Sequence, residues 1–136
     1  MEPEKTIFQK IIDREIPADI VYEDDVCIAF LDIHPVTLGH TLVVTKSPYR
    51  WMDDATDTDV VHAFVVAKNI MKVMKQNLEN ISLVSVVVVG DEVPHFHIHL
   101  IPQNIAEPLA IAQTRQSNYA DDSQKQEYVE KIKKGL

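Results

Sequence analysis

The run Pro94-His95-Phe96-His97-Ile98-His99-Leu100-Ile101-Pro102 constrains this chain more than any other stretch, because half of its six histidines fall within five residues in strict alternation with apolar ones. In extended backbone successive side chains point to opposite faces. His95, His97 and His99 therefore share one face, roughly 6 to 7 Å between neighbours, and Phe96, Ile98 and Leu100 share the other. One face reads as core and the other as chemistry.

The rest of the chain supplies a sheet for such a strand. Thr6 to Arg14 carries Ile7, Phe8, Ile11 and Ile12 at helical spacing and ends before Pro17. Ile20-Val21-Tyr22 and Val26 to Leu31 flank Glu23-Asp24-Asp25, which predicts a hairpin with an acidic tip. Asp32 to Gly39 reads as a loop, His40 stands where it meets the strand Thr41-Leu42-Val43-Val44, and a polar stretch follows. Thr56 is placed to cap a helix running to about Leu78, with Asp59 three positions on and an apolar stripe wide enough to meet more than one surface. Leu83 to Val89 is a nearly continuous apolar run, the pattern of a strand covered on both faces. After Gln103 the chain is polar and irregular until Tyr128, Val129, Ile132 and Leu136 mark a short C-terminal helix. The order α-β-β-β-α-β-β-α predicts an α+β fold: a mostly antiparallel five-stranded sheet with a short N-terminal helix, one long central helix and a short C-terminal helix.

A chain of 136 residues reads as one domain, 1–136, able to bury a core without disulfides or a structural metal. Its net charge of −8 argues against a broad grip on nucleic acid, though not against one phosphate in a pocket. No apolar stretch approaches the length of a spanning helix and no hydrophobic signal core follows the acidic N-terminus, so a cytoplasmic protein without membrane attachment is expected. The single cysteine, Cys27, sits in an apolar pattern and reads as core.

A lone histidine is ordinarily a satisfied polar residue, and His34 and His62 are read so. Three on one face are different: they share hydrogen bonds and depress one another's protonation, keeping at least one neutral near pH 7 and available as nucleophile or base. A metal site and covalent phosphorus chemistry compete. Histidines at i and i+2 of a strand can bind zinc, with Asp91 or Glu92 supplying an oxygen, but barrel-type metalloproteins are rich in short strands and turn glycines, and this chain has three glycines and a long central helix.

The alternation from His95 to Ile101 resembles the signature of the histidine-triad (HIT) family of nucleotide hydrolases and transferases. Thr6 to Ile12 with Glu15-Ile16-Pro17-Ala18 is similar to that family's N-terminal segment. Glu23-Asp24-Asp25 to Pro35, then Gly39-His40-Thr41-Leu42-Val43-Val44, is similar to its central hairpin. Together these cover about residues 6–102, leaving 103–136 as a C-terminal extension. The third histidine, His99, resembles the purine-nucleoside phosphoramidase (Hint-like) branch rather than the uridylyltransferase branch, which has glutamine there.

The resemblance implies a mechanism. His97 would attack the α-phosphorus of a nucleoside 5′-phosphoramidate or related compound, giving a nucleotidyl-histidine that water hydrolyses. His99 would help protonate the leaving group, and His95 with His40 would bond phosphate oxygens and orient the nucleophile's ring. Ile7, Phe8, Phe30 and Ile33 would line the base pocket with Val93 nearby, and Asp32 would accept from the ribose hydroxyls. Ordinary core is the competing reading of the apolar residues, and a turn cap that of Asp32. The implied partners are a purine nucleotide and a second copy of the chain, with the apolar face of the 56–78 helix suited to a two-fold contact. No cofactor and no metal are implied. Some relatives hold a structural zinc with two cysteines where Thr6 and Gln9 stand here, so no such zinc is expected.

One departure bears on the reaction. Many relatives carry Gly-Gln and a hydroxyl before the triad, whereas this chain reads Gly90-Asp91-Glu92-Val93-Pro94. Acidic residues there would repel a phosphate unless they point away or select the leaving group. The alternative function is a nucleotide-binding or protein-interaction module with weakened catalysis, and the third is the metal site. Gln103 to Asp122 is expected to border the leaving-group side.

Overall fold

The computed structural model describes residues 4–104, 106 and 117–136. The expected α+β order is present: α1 (Ile7–Ile12), β1 (Ile20–Glu23), β2 (Cys27–Leu31), β3 (Thr41–Thr45), a 3₁₀ turn (Met52–Asp54), α2 (Asp57–Asn77), β4 (Leu83–Val87), β5 (His97–Gln103) and α3 (Asp122–Lys133). The strands form one five-stranded sheet in the order β1-β2-β3-β5-β4, and every neighbouring pair is antiparallel. Of the C-terminal extension, residues 105 and 107–116 lie outside the described residues, and with them much of the expected leaving-group border.

Alternation along the strands divides the core into two layers. Cys27, Ala29, Leu31, Val43, Ile98 and Leu100 face α2 and α3, which contribute Ala67, Ile70, Met74, Val129 and Ile132. Ile28, Phe30, Leu42 and Val44 face the opposite side, where Phe8 and Ile11 of α1 cover them. His97 and His99 share this second face with α1.

Helix ends follow their caps. Thr56 is the N-cap of α2, its hydroxyl accepting from the Asp59 N–H at 3.2 Å, and Asp57 and Asp59 lie in the first turn, where the helix dipole favours negative charge. Thr6 caps α1 in the same way. The acidic hairpin tip is held by Asp24, which accepts from the Val26 and Cys27 N–H groups, from the Tyr22 hydroxyl and from His62 Nε2 at 2.6 Å. His62 is thus the satisfied histidine it was expected to be.

Two expectations change. The run Leu83–Val89 is not a strand covered on both faces: β4 stops at Val87 and forms an edge, with Val86 at 42% exposure and Val88 and Val89 exposed beyond it. An apolar run signals burial without saying which strand lies centrally, and here β2, β3 and β5 are the fully buried strands. The C-terminal helix begins six residues before Tyr128, at Asp122, with Asp121 as its N-cap. Its first turns are polar and solvated, so apolar periodicity marks only the part that packs. No helix among the described residues is long and apolar enough to cross a membrane.

Candidate active site

β5 enters the ladder at His97, not at Pro94. Before it, the His95 N–H bonds the Val93 carbonyl at 2.8 Å and the Phe96 N–H bonds the Tyr49 carbonyl at 2.7 Å. The shared histidine face survives this irregularity, because the Phe8 ring meets His95 and His97 edge-on with centroids 6.1 and 4.9 Å away. His97 and His99 lie 4.8 Å apart, centroid to centroid, and β3 brings His40 to 5.2 Å from His99. All four rings are buried.

Each ring has one nitrogen committed to a fixed partner, and these partners determine the neutral tautomers. His97 Nδ1 lies 2.7 Å from the His95 carbonyl, which can only accept. Nδ1 therefore carries the hydrogen and Nε2 the lone pair. His95 Nε2 lies 2.6 Å from the Thr45 carbonyl and carries its hydrogen there. The Val36 N–H donates to His40 Nδ1 at 3.0 Å, so the His40 hydrogen sits on Nε2 and is donated to His99 Nδ1, also at 3.0 Å. His99 is left with its own hydrogen on Nε2. The result is an asymmetric pair, a lone pair on His97 Nε2 beside an N–H on His99 Nε2.

Burial keeps the supporting rings neutral. It pushes the His40 pKa down to about 3, helped by the neighbouring His99 and His97. It pushes His99 down to about 4, with His97 acting in the same direction and Asp91 opposing. His95 is lowered by burial against the opposing pull of the Thr45 carbonyl.

The geometry divides the orienting work differently from the expectation. The His97 ring is held by the backbone carbonyl of His95, while the imidazole of His95 turns to Thr45, and His40 touches His99 rather than His97. Thr45 and Val36 were missed because they act through backbone groups, which carry no residue-type signal.

Asp32 lies between the β2 end and this cluster. Its Oδ1 accepts the His34 N–H at 2.8 Å and its Oδ2 stands 3.6 Å from His40 Nε2. Burial raises its carboxyl above the ordinary value. One oxygen of Asp32 therefore caps the turn, and the other faces the histidines. Phe8 and Phe30 are core residues in T-shaped contact at 5.6 Å and form the floor beneath the triad, with Val93 packed at its edge. Ile7 is exposed and Ile33 is 69% exposed, so neither is a core residue. Ile33 and Asp32 border a surface cavity of about 230 Å³ with Tyr119, Asp121, Asp122 and Lys125.

Asp32, His40 and His99 bring ligand-type atoms within 4.8 Å of one another, the one such group among the described residues. The expected oxygen donors Asp91 and Glu92 are not part of it. A cation on His40 Nε2 would need that lone pair, forcing the hydrogen onto Nδ1 against the Val36 N–H. Two donors would then face each other in a buried site. The donor set does not fit a metal as it stands.

The departing acidic turn is exposed at Asp91 and Glu92, and it is anchored behind them. Arg50 donates to the Gly90 carbonyl at 2.7 Å and stacks 3.7 Å over the Trp51 ring. Gly90 has φ +83, and a Cβ there would meet that ring at 2.9 Å. Asp91 is felt at His99 and Glu92 at Asp32, so the turn makes an acidic rim.

The HIT domain family model matches residues 13–105. A HIT-like protein of Methanocaldococcus jannaschii is 42% identical over 100 residues, 71% of this chain and 78% of that protein. The adenosine 5′-monophosphoramidase of Saccharomyces cerevisiae is 37% identical over 97 residues, 71% of this chain and 61% of that enzyme. The crystal structure of a HIT-like protein of Bartonella henselae has a TM-score of 0.84 at 29% identity, with 100% of both chains covered. With two thirds of its length matched and the histidine cluster inside the match, the chain belongs to the HIT family.

Proposed function

We propose that the protein hydrolyses nucleoside 5′-phosphoramidates through a nucleotidyl-His97 intermediate. The carrying observation is the asymmetric pair of tautomers. His97 Nε2 offers an electron pair to phosphorus, and His99 Nε2–H, a ring away, points a donor at the departing atom. Forming the phosphorus–His97 bond and breaking the phosphorus–nitrogen bond passes the His99 Nε2 hydrogen to the departing amine. The water that then attacks phosphorus returns one hydrogen to His99 and keeps the other on the oxygen it adds to AMP, while the electron pair returns to His97 Nε2, so the cycle is proton-neutral. Asp32 would hold the ribose hydroxyls, and Phe8, Phe30 and Val93 would back the purine with Ile7 and Ile33 at its edge.

The acidic rim favours an amine over a pyrophosphate as leaving group, because Asp91 and Glu92 repel a second anion and tolerate a group that departs as a neutral or cationic amine. The phosphoramidase activity of the yeast relative supports the same choice. The test is a rapid acid-free quench of the protein mixed with adenosine 5′-phosphoramidate, followed by AMP measurement and peptide mass mapping. AMP release with a nucleotidyl adduct on the His97 peptide is expected. Binding without release would instead identify a nucleotide-binding module.

We also propose a homodimer paired through β4. This edge strand carries exposed Val86 and is followed by exposed Val88 and Val89, and α2 leaves Val61 and Val65 exposed one turn apart. Sedimentation of the parent as a dimer and of Val86→Asp as a monomer is expected; a monomeric parent sinks the pairing.

A further inference from the structure

The tautomer chain that arms His99 begins in a loop with no regular structure of its own. Residues 32–40 are held internally by the His40 N–H on the Thr37 carbonyl at 3.1 Å, and to β5 by the Thr37 hydroxyl on the Pro102 carbonyl at 2.6 Å. Three further backbone groups of the loop find partners in one short segment beyond the family match. The Ser117 N–H donates to the Pro35 carbonyl at 2.7 Å, the Ser117 hydroxyl to the Val36 carbonyl at 2.9 Å, and the Gly39 N–H to the Tyr119 hydroxyl at 2.9 Å. Tyr119 is itself fixed by a T-shaped contact with Tyr128 of α3 at 5.5 Å. The approach is close: Gly39 has φ +93, and a Cβ there would meet Leu78, Tyr128 and Pro102 at 3.1 to 3.3 Å.

We infer that Ser117 and Tyr119 are positioning residues for the reaction: by clamping Pro35, Val36 and Gly39 they keep the Val36 N–H on His40, and so keep the hydrogen of His99 on the nitrogen that faces the substrate. Val36 is buried, and its N–H is the group that forbids a hydrogen on His40 Nδ1. If the loop shifts and that bond opens, His40 is free to carry its hydrogen on Nδ1. His40 Nε2 then becomes an acceptor toward His99 Nδ1, the His99 hydrogen moves to Nδ1, and Nε2 meets the departing atom with a lone pair. The nucleophile is untouched, because His97 is held separately by the His95 carbonyl. What is lost is the donor to the leaving group.

The catalytic half of this inference rests on the phosphoramidase reading, so its test has an arm that does not. In the double variant Ser117→Ala/Tyr119→Phe, side-chain ¹⁵N spectra are expected to show His40 and His99 shared between tautomers, where the parent shows hydrogen on Nε2 of both. Unchanged tautomers overturn the inference whatever the activity. In the kinetic arm, kcat for adenosine 5′-phosphoramidate is expected to fall about tenfold or more, while that for the p-nitrophenyl ester of AMP, whose leaving group needs no proton, changes by less than about twofold. Equal falls on both substrates, or none on either, also overturn it. If the parent cleaves neither substrate, the phosphoramidase reading fails and the spectra alone decide. Ser117→Ala, which removes only the bond to Val36, carries the same readouts if the double variant does not fold, and Ser117→Thr is expected to restore them.

Discussion

Replacing His97 by alanine is expected to lower adenosine 5′-phosphoramidate turnover on the order of 10⁵-fold, about 7 kcal/mol of barrier, measured as AMP released per enzyme under saturating substrate. The loss is large because no second nucleophile stands ready. His95 spends its Nε2 hydrogen on Thr45, and His40 Nδ1 accepts from Val36 while its Nε2 hydrogen serves His99. His99 has its lone pair engaged by His40 and presents only a donor. The fold should survive. His97 contributes one hydrogen bond, to the carbonyl of His95 two residues before it, and edge contacts with Phe8 and His99, so nucleotide binding by the variant is expected to remain near that of the parent. AMP release by His97→Ala at the parent's rate would remove His97 from the chemistry and return the cluster to a binding role.

Much of this site was legible in the chain because period-two alternation is a geometric statement. His97 and His99 had to share a face, and Ile98 and Leu100 had to oppose them once the segment was extended. His40 and Asp32 were legible as polar residues at the ends of apolar strands. The central position of β5 was not legible, since Leu83–Val89 is more apolar than the histidine strand yet ends at the sheet's edge. The start of α3 was hidden by its solvated first turns, although Asp121 is an ordinary N-cap. Ser117 and Tyr119 had no signature at all. Their contacts reach backbone groups some eighty positions away, and a hydrogen bond to a backbone N–H or carbonyl leaves no mark on the residue that owns it.

The three supporting histidines also determine how the protein responds to acid, and a steep loss of stability between pH 6.5 and about 4 is expected. Their folded-state pKa values are depressed, to about 3 for His40 and about 4 for His99, with His95 lowered as well, while in the unfolded chain all three titrate near 6.5. In that window the unfolded state binds more protons than the folded one. Stability therefore rises with pH, is complete above 6.5, and is lost as pH falls toward the folded values. Each unmatched proton is worth about 1.4 kcal/mol per pH unit, so His40 and His99 give about 3 kcal/mol per unit at the steepest, with His95 acting in the same direction, against a total stability on the order of 5 to 15 kcal/mol. Asp32 works in the other direction near the acid end, because its raised carboxyl takes up a proton in the folded state first. Urea midpoints at pH 7.5, 6.0 and 5.0 would check this, with the same series on His40→Asn. Asparagine keeps an acceptor for Val36 and removes one titration, so a shallower slope in the variant is expected; a parent midpoint that does not move between pH 7.5 and 5.0 would mean that the folded histidines titrate like exposed ones.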